Sequence, residues 1–518
     1  MLININAAKC VGIDAVPVTV EVDIARGIGI HLVGLADAAV KESLLRVTTA
    51  MQALGFHVPG KRIVINLAPA DLHKNGSGYD LPIALGIIAA SEQVDMPGLG
   101  KYLIMGELGL DASVRGISGA LPFAELARRQ GFAGCILPEQ SALETVELPG
   151  IDVYGVRTLI DVLRILSGRD SSQELLIRNS HAYMDALTRE APDSGSVADF
   201  ADIIGQEGAK RGAEIAVAGG HNLILIGPPG SGKSSLAKAL PGILPPMTTE
   251  ESLLTSKIYS IAGKTGSGIG FIHRRPFRAP HYSASIAAII GGGGGDGIIP
   301  GEVSLANNGV LFLDELGQMP KGVLEALRGP IEDRFVSISR LRSKIEYPAS
   351  FMLAAATNPC PCGYYGEGDR CTCTAGQRTS YLSKLSGPIL DRIDIHIWMH
   401  PVAPGKLVNR EKGESSAAVA ERVLRARKIQ EERFRDEGIT ANAEMGGRLM
   451  EKYCPLSDDC KDVLERLIDR MGLSARAFSR IIKVARTIAD LAGVRDIRPE
   501  HIAEAAGFRF LDRRFFGQ

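Results

Sequence analysis

Apolar residues recur along this chain with two different periods, and the switches between them divide it into units. Val18-Thr19-Val20-Glu21-Val22 alternates apolar and polar positions, the pattern of a strand with one buried face. Ala38 to Leu54 repeats apolar positions at helical spacing. Arg62 to Leu67 returns to a strand, and the almost wholly apolar Leu81 to Ser91 reads as a buried helix. These elements predict an α/β domain over residues 1–166. From Ser167 the texture turns polar and turn-rich, in Ser167-Gly168-Arg169-Asp170-Ser171-Ser172 and again in Ala191-Pro192-Asp193-Ser194-Gly195-Ser196, so residues 167–198 are expected to be an interdomain linker. Residues 199–401 alternate short apolar strands (Asn222 to Ile226, Gly309 to Leu313, Phe351 to Ala356) with helical segments, which favours a largely parallel sheet. Beyond that the strands stop. Ser415 to Asp436 and Asp458 to Ala492 are amphipathic and rich in Arg and Lys, so residues 402–518 are expected to form a helical lid.

Composition narrows the class. A chain of 518 residues exceeds what a single core organises, and 45% hydrophobic with 23% charged residues is ordinary globular usage. The net charge of −1 advertises no affinity for nucleic acid, although a ring can concentrate basic groups in its pore. The opening Met1-Leu2-Ile3-Asn4-Ile5-Asn6 lacks the basic and apolar regions of a signal peptide, and no apolar run reaches the roughly 18–20 residues that a membrane helix needs. A cytoplasmic protein without a membrane partner is the expectation, and its eight cysteines then read as thiols or metal ligands.

The second domain carries the chemistry. Gly227-Pro228-Pro229-Gly230-Ser231-Gly232-Lys233-Ser234 is a complete P-loop, set between an apolar strand and a helix that opens at Ser235. Its glycines let backbone N–H groups close around phosphate oxygens, Lys233 reaches the β- and γ-phosphates of ATP, and the Ser234 hydroxyl suits Mg²⁺. Val310-Leu311-Phe312-Leu313-Asp314-Glu315 ends a buried strand in two acids. Asp314 is the candidate for the Mg²⁺ shell and Glu315 for polarising the attacking water. Such a pair often marks only a solvated strand end, but its place downstream of a P-loop favours catalysis. Asn358, closing Phe351 to Thr357, could orient that water; an Asn before Pro359 is also an ordinary turn former. Arg392, in Leu390-Asp391-Arg392, and Arg476, in Leu473-Ser474-Ala475-Arg476, are candidates to neutralise transition-state charge, against the plainer reading of surface ion pairs.

This order of motifs resembles the helix-2-insert branch of AAA+ proteins. Arg278-Ala279-Pro280-His281-Tyr282-Ser283-Ala284-Ser285, Pro300-Gly301-Glu302-Val303-Ser304-Leu305-Ala306 and Asn358-Pro359-Cys360-Pro361-Cys362-Gly363 are more specific, and over essentially the whole chain they resemble the YifB/ComM family of bacterial magnesium-chelatase-like ATPases. The resemblance implies an AAA+ core with a helix-2 insert, working as a homo-hexameric ring with ATP sites between subunits. Arg392 would act in trans as an arginine finger and Arg476 as sensor 2. It also implies a DNA helicase that promotes branch migration when incoming single strands are integrated during natural transformation. A chelatase-like or chaperone-like remodelling ATPase with a protein or cofactor partner uses the same chemistry and is the alternative.

Two segments are candidates for DNA contact in a central pore. His273-Arg274-Arg275-Pro276-Phe277-Arg278 leads towards the glycine-rich Gly291 to Gly295 and supplies Arg274 and Arg275. Arg334 to Ile345 alternates as a hairpin expected to put Arg340, Arg342 and Lys344 on one face. On spacing alone this is as readily a solvated strand edge, and it is the family resemblance that favours DNA. Cys360, Cys362, Cys371 and Cys373 form two C-x-C pairs that suit a tetrahedral Zn²⁺, although C-x₂-C is the commoner spacing and four reduced thiols are the plainer alternative. Finally, Lys74-Asn75-Gly76-Ser77-Gly78-Tyr79-Asp80-Leu81, with Gly106-Glu107-Leu108-Gly109-Leu110, resembles the Lon protease C-terminal domain, a ribosomal-S5-like α/β fold. That alignment puts Gly76 at the nucleophile position and Leu121 at the Lys position, so the adjacent Ser77 lacks a base. The N-terminal domain is therefore expected to be a non-proteolytic relative used for assembly or DNA contact.

Overall fold

A computed structural model of the chain describes residues 2–35, 37–168, 170–188, 198–265, 269–293, 298–340, 343–384, 387–402, 405, 409 and 412–509. Its first unit is built on two long antiparallel strands, β1 (Ile3–Val11) and β2 (Asp14–Ala25). With β3 (Gly29–Val33), β4 (Arg62–Ala68), β5 (Tyr102–Ile104), β6 (Gly134–Pro138) and β7 (Asp152–Val156) they form a seven-stranded mixed sheet in the order β3-β4-β2-β1-β5-β6-β7. Helices α1 (Ala38–Ala53), α2 (Asp80–Ala90) and α3 (Ala120–Gln130) pack with it. The apolar run read as a buried helix is α2, buried at nearly every position. Gly86 permits this close approach, since a Cβ there would sit 2.5 Å from Val22 Cγ2.

The expected linker is shorter than the sequence suggests. Ile177 is buried in the first core, Leu176 bridges to Tyr154 of β7, and Arg178 donates to the carbonyls of Val146 (3.1 Å) and Leu148 (2.9 Å). A helix follows over His181–Thr188. Buried apolar residues within a polar stretch thus carry the first unit about twenty residues beyond residue 166, and the remaining polar stretch, 189–197, lies outside the described residues.

In the second unit the chain lays down β8 (Leu223–Ile226), β9 (Phe277–Arg278), β10 (Val310–Leu313), a separate hairpin of β11 (Phe335–Arg340) and β12 (Ser343–Pro348), then β13 (Met352–Thr357) and β14 (Ile395–Trp398). Five of them form a sheet in the order β9-β10-β13-β8-β14, every pairing parallel. Both faces are covered, which is why its strands read as continuous apolar runs. The strand period of two shows instead in which core each residue joins. Leu223, Leu225, Val310, Phe312 and Ala354 face one core; Ile224, Ile226, Leu311, Leu313 and Ala355 face the other.

Helix α4 (Glu207–Gly219) lies on the first of these faces, α5 (Lys233–Ala239) follows the P-loop, and α6 (Thr249–Ile261) packs on α3 of the first unit. There Lys257 of α6 bridges Asp14 (2.5 Å) and Glu125 (2.7 Å). Helix α7 (Ala375–Lys384) precedes β14, and after that strand come the C-terminal helices α8 (Ser416–Arg433), α9 (Asp458–Met471) and α10 (Ala475–Leu491). The amphipathic stretch from Asp458 to Ala492 breaks at Gly472, whose φ of +64° caps α9 before Ser474 caps α10. Val419, Val423, Ile481 and Ile488 from these helices share one core with Leu223 and Ile395 of the sheet, so the region expected as a lid is packed onto α4 and continuous with the core of the second unit. No helix of the described residues is long and apolar enough to cross a membrane.

Candidate nucleotide site

Parallel strands deliver their C-terminal ends to one edge, where open α/β sheets bind ligands. Here β8 runs into the P-loop, β10 into Asp314 and Glu315, and β13 into Asn358. Gly230 and Gly232 take φ of +77° and +91°, and a Cβ on Gly227 would meet Met399 O at 2.4 Å, so the loop tolerates no side chain at these points. The Lys233 ammonium donates to the carbonyls of Gly227 (2.7 Å) and Pro228 (2.9 Å) and to Asn358 Oδ1 (3.2 Å), which joins the P-loop to the end of β13. Burial pushes its pKa down, partly offset by Asp314 and Glu315. Ser234 Oγ donates to Asp314 Oδ2 at 2.9 Å. A hydroxyl and a carboxylate oxygen are thus paired beside the lysine, the oxygen donor set that suits Mg²⁺. Glu315 follows with a left-handed φ of +51°, an uncommon conformation for a residue with a side chain; its N–H donates to Asp314 Oδ1 at 2.9 Å.

Each of the two candidate arginines is engaged in an ion pair. Arg392 is largely buried, and its guanidinium pairs with the half-exposed Glu332 at 2.6 Å. Arg476, at the start of α10, is exposed and pairs with Asp391 at 3.4 Å. Within one chain, then, Lys233, Ser234, Asp314, Glu315 and Asn358 converge, while Arg392 pairs with Glu332 and Arg476 with Asp391.

Sequence reasoning missed several supports. Gln206, held at φ +62° ahead of α4, donates to Ser231 O (3.0 Å) and His400 O (2.6 Å), clamping the P-loop from outside. Tyr381 of α7 exchanges a hydrogen bond with Thr357 Oγ1 at 3.2 Å. Buried Asp394 ties the parallel sheet to α10 by accepting from Asn222 N (3.1 Å) and from Arg480, with His221 3.6 Å away. Only the Gly205-Gln206 turn had any local signature; the others are single polar residues brought in from distant segments. Arg278 and Glu302, from two of the family-like motifs, form a bidentate pair at 2.6 and 2.8 Å.

The cysteines do come together. The Sγ atoms of Cys360, Cys362, Cys371 and Cys373 all lie within 4.8 Å of one another, with separations of 3.3 Å (360–362), 3.9 Å (360–371) and 3.7 Å (362–371). Four thiolates at about 2.3 Å from a tetrahedral Zn²⁺ stand about 3.8 Å apart, so the sulfurs fit that ion.

The candidate DNA residues fare differently. Arg275 is turned inward, bonded to Pro245 O (2.6 Å), Asn308 O (2.7 Å) and Glu251 (2.8 Å), which makes it a structural cation and not a free one. Arg274 is exposed. The hairpin forms, but its register pairs Ser339 with Lys344 and Arg340 with Ser343. Lys344 therefore shares a face with Ser339, out of phase with position 340, because β12 pairs antiparallel with β11 and does not continue it as one strand. Lys344 pairs with Glu346 at 3.0 Å, and Arg342 lies outside the described residues.

In the first unit, Ser77 donates its hydroxyl to Glu107. The neighbouring Lys74 and Lys9 ammonium groups are bound to the carbonyls of Pro69 and His73, and Leu121 is fully buried. Ser77 lines a cavity of about 1720 Å³, which Ser339 and Tyr347 of the hairpin line from the other side. Among the described residues, the serine hydroxyl thus donates to a carboxylate, while the nearby Lys74 and Lys9 ammonium groups are engaged by carbonyls.

Comparison with known proteins agrees with this arrangement. Residues 20–141 match "Subunit ChlI of Mg-chelatase", 199–407 match "Magnesium chelatase, subunit ChlI", and 413–509 match its C-terminal region. The chain is similar to protein YifB of Salmonella typhimurium LT2, 43% identical over 98% of this chain and 97% of the relative. It is 42% identical to competence protein ComM of Haemophilus influenzae Rd, over 97% of this chain and 96% of that one. A more distant relative, an archaeal Lon protease of Methanocaldococcus jannaschii, is 26% identical over 30% of this chain and 24% of its own. Identity over nearly the full length and consecutive chelatase-subunit matches on both units show that this chain belongs to the YifB/ComM family of magnesium-chelatase-like AAA+ ATPases.

Proposed function

We propose that the protein is an ATP-driven DNA motor that promotes branch migration or unwinding when incoming DNA is recombined. The observation that carries ATP hydrolysis is the joining of Lys233 to Asn358 and of Ser234 to Asp314 at one edge of a parallel sheet. ATP would be held by the backbone from Gly227 to Ser234 and by Lys233, with Mg²⁺ at Ser234 and Asp314. Bound Mg²⁺ supplies positive charge against the phosphate oxygens. Glu315 takes the proton side of the attacking water, and Asn358 orients that water. Ring assembly as a homo-hexamer places Arg392 of one subunit at the site of the next, and Arg392 exchanges Glu332 for the γ-phosphate there. Zn²⁺ at the four cysteines is structural in this reading.

Substrate choice rests on the 42% identity to a protein named for competence. Within the chain, Arg274, Arg340 and Arg342 are the cations assigned to DNA; Arg275 is given up to structure. The N-terminal unit serves assembly or DNA contact without peptidase activity, consistent with a Ser77 faced by Glu107. The test is ATPase rate with and without single-stranded and four-way-junction DNA. Stimulation with junction movement supports the motor. Absence of any DNA response, with stimulation by a protein partner, would assign a chelatase-like remodelling role.

A further inference from the structure

The chain between Asn358 and α7 does more than present four thiols. Apart from a single 3₁₀ turn at Gly368–Arg370 it has no regular structure. Its backbone hydrogen bonds span three residues, Gly363 N to Cys360 O and Glu367 N to Tyr364 O, both 3.0 Å. Its two arms meet through the sulfurs, through Cys362 N–H donating to Cys373 Sγ at 3.4 Å, and through the Arg370 guanidinium lying 4.5 Å from the centre of the Tyr364 ring. Yet this sparsely bonded loop touches the ATP site at three points. Gly363, at φ +86°, lies against the P-loop so closely that a Cβ would stand 2.8 Å from Pro229 Cδ. Gly366 lies against Trp398, where a Cβ would come within 3.3 Å of the indole. Trp398 is followed by Met399, whose N–H donates to Ile226 O at the mouth of the P-loop (2.7 Å). Beyond the second cysteine pair, α7 carries Tyr381 back to Thr357 at 3.2 Å, next to Asn358, and its ring packs on Gly317 just past Glu315.

From this we infer that a zinc ion on Cys360, Cys362, Cys371 and Cys373 is the clamp that holds the P-loop and the end of β13 in register, so that metal occupancy sets nucleotide affinity and hydrolysis. The inference rests on the ATP-site and zinc readings above and adds a regulatory dependence to them. Metal binding supplies the order that the loop's own hydrogen bonds do not. Without it the arms separate, Gly363 and Tyr381 leave their seats, and Pro229 and Asn358 lose their common support.

The experiment uses full-length protein purified without added zinc. Metal analysis is expected to find about one zinc per chain. Stripping it with a high-affinity chelator should change the emission of Trp398, the single tryptophan, and weaken Mg²⁺-nucleotide binding or hydrolysis roughly 10- to 100-fold. Restoring zinc alone should reverse both. Because Cys371→Ser with Cys373→Ser could disturb folding, Gly363→Ala provides a second arm: it keeps all four thiols, and should retain zinc while losing nucleotide affinity. A protein without metal overturns the zinc reading and the clamp with it. Zinc that is present and removable, with nucleotide affinity and hydrolysis unchanged, overturns the clamp alone. Zinc-loaded protein that binds no nucleotide overturns the ATP-site reading on which the clamp depends.

Discussion

Asp394 is the residue whose loss should most clearly uncouple the ATPase sheet from its C-terminal helices. Its side chain is 6% exposed and faces Arg480 of α10, itself 20% exposed, while the other oxygen accepts from Asn222 N at 3.1 Å, directly ahead of β8. Burial alone works against the charge, but Arg480, His221 and Lys483 outweigh it and hold the carboxyl well below the usual carboxylate range. Removing one partner of a buried pair costs about 3–5 kcal/mol. Asp394→Asn keeps the shape and the hydrogen bond to Asn222 N, and Arg480 retains some solvent, so the cost falls to the bottom of that range or below it, about 2–3 kcal/mol. At about 3 °C per kcal/mol for a large domain, the melting transition of the ATPase unit should fall roughly 6–9 °C. The carboxyl is depressed in the fold, so its contribution is present above the unfolded pKa of about 3.9 and is lost only as pH falls below it. The gap between wild type and variant should therefore be the same at pH 7 and pH 8.5. Calorimetry of both proteins at these two values checks this. A shift under about 2 °C, or a gap that changes between them, would refute the coupling argued for Asp394.

Three other outcomes are expected. His221 and His396 are buried with pKa values pushed down by burial, so the unfolded chain takes up protons that the fold refuses; stability should fall by up to about 1.4 kcal/mol per histidine for each pH unit below about 6.5, readable in urea unfolding at pH 7.5, 6.0 and 5.5. Arg392→Ala should still bind ATP but hydrolyse it about 10³-fold more slowly, and mixing it with Lys233→Ala should restore part of the rate, since each variant supplies what the other lacks. Failure of that rescue in assembled rings would place Arg392 in cis. Arg340→Ala with Arg342→Ala should weaken DNA binding and flatten its dependence on salt, measured by fluorescence anisotropy; unchanged affinity in an intact ring would remove the hairpin from the DNA path.

What could be read beforehand follows the range of the forces involved. The P-loop, the Asp314-Glu315 strand end and Asn358 are local patterns on buried strands, and β8, β10 and β13 fall within a residue or two of where their apolar runs begin and end. The linker was misjudged because the short apolar triplet Leu175-Leu176-Ile177 is flanked by longer polar, turn-rich stretches, and local composition cannot register a contact with β7. Arg275 looked like a free cation for the same reason: its partners Glu251, Pro245 and Asn308 are about 24 to 33 positions away in the chain. The hairpin shows a different limit. Its alternation was legible, but the antiparallel pairing of Ser339 with Lys344 and of Arg340 with Ser343 changed which positions share a face. Gln206, Tyr381 and Asp394 carry no motif, and only the folded chain identifies them as supports of the site.

The central claim, a P-loop motor acting on DNA, is tested most directly by branch migration of a synthetic four-way junction by full-length protein with ATP and Mg²⁺, beside Lys233→Ala. The account predicts junction resolution and DNA-stimulated ATP hydrolysis by the wild type, with both lost in Lys233→Ala. Resolution that persists in the variant, or hydrolysis that neither responds to DNA nor moves the junction, would contradict it.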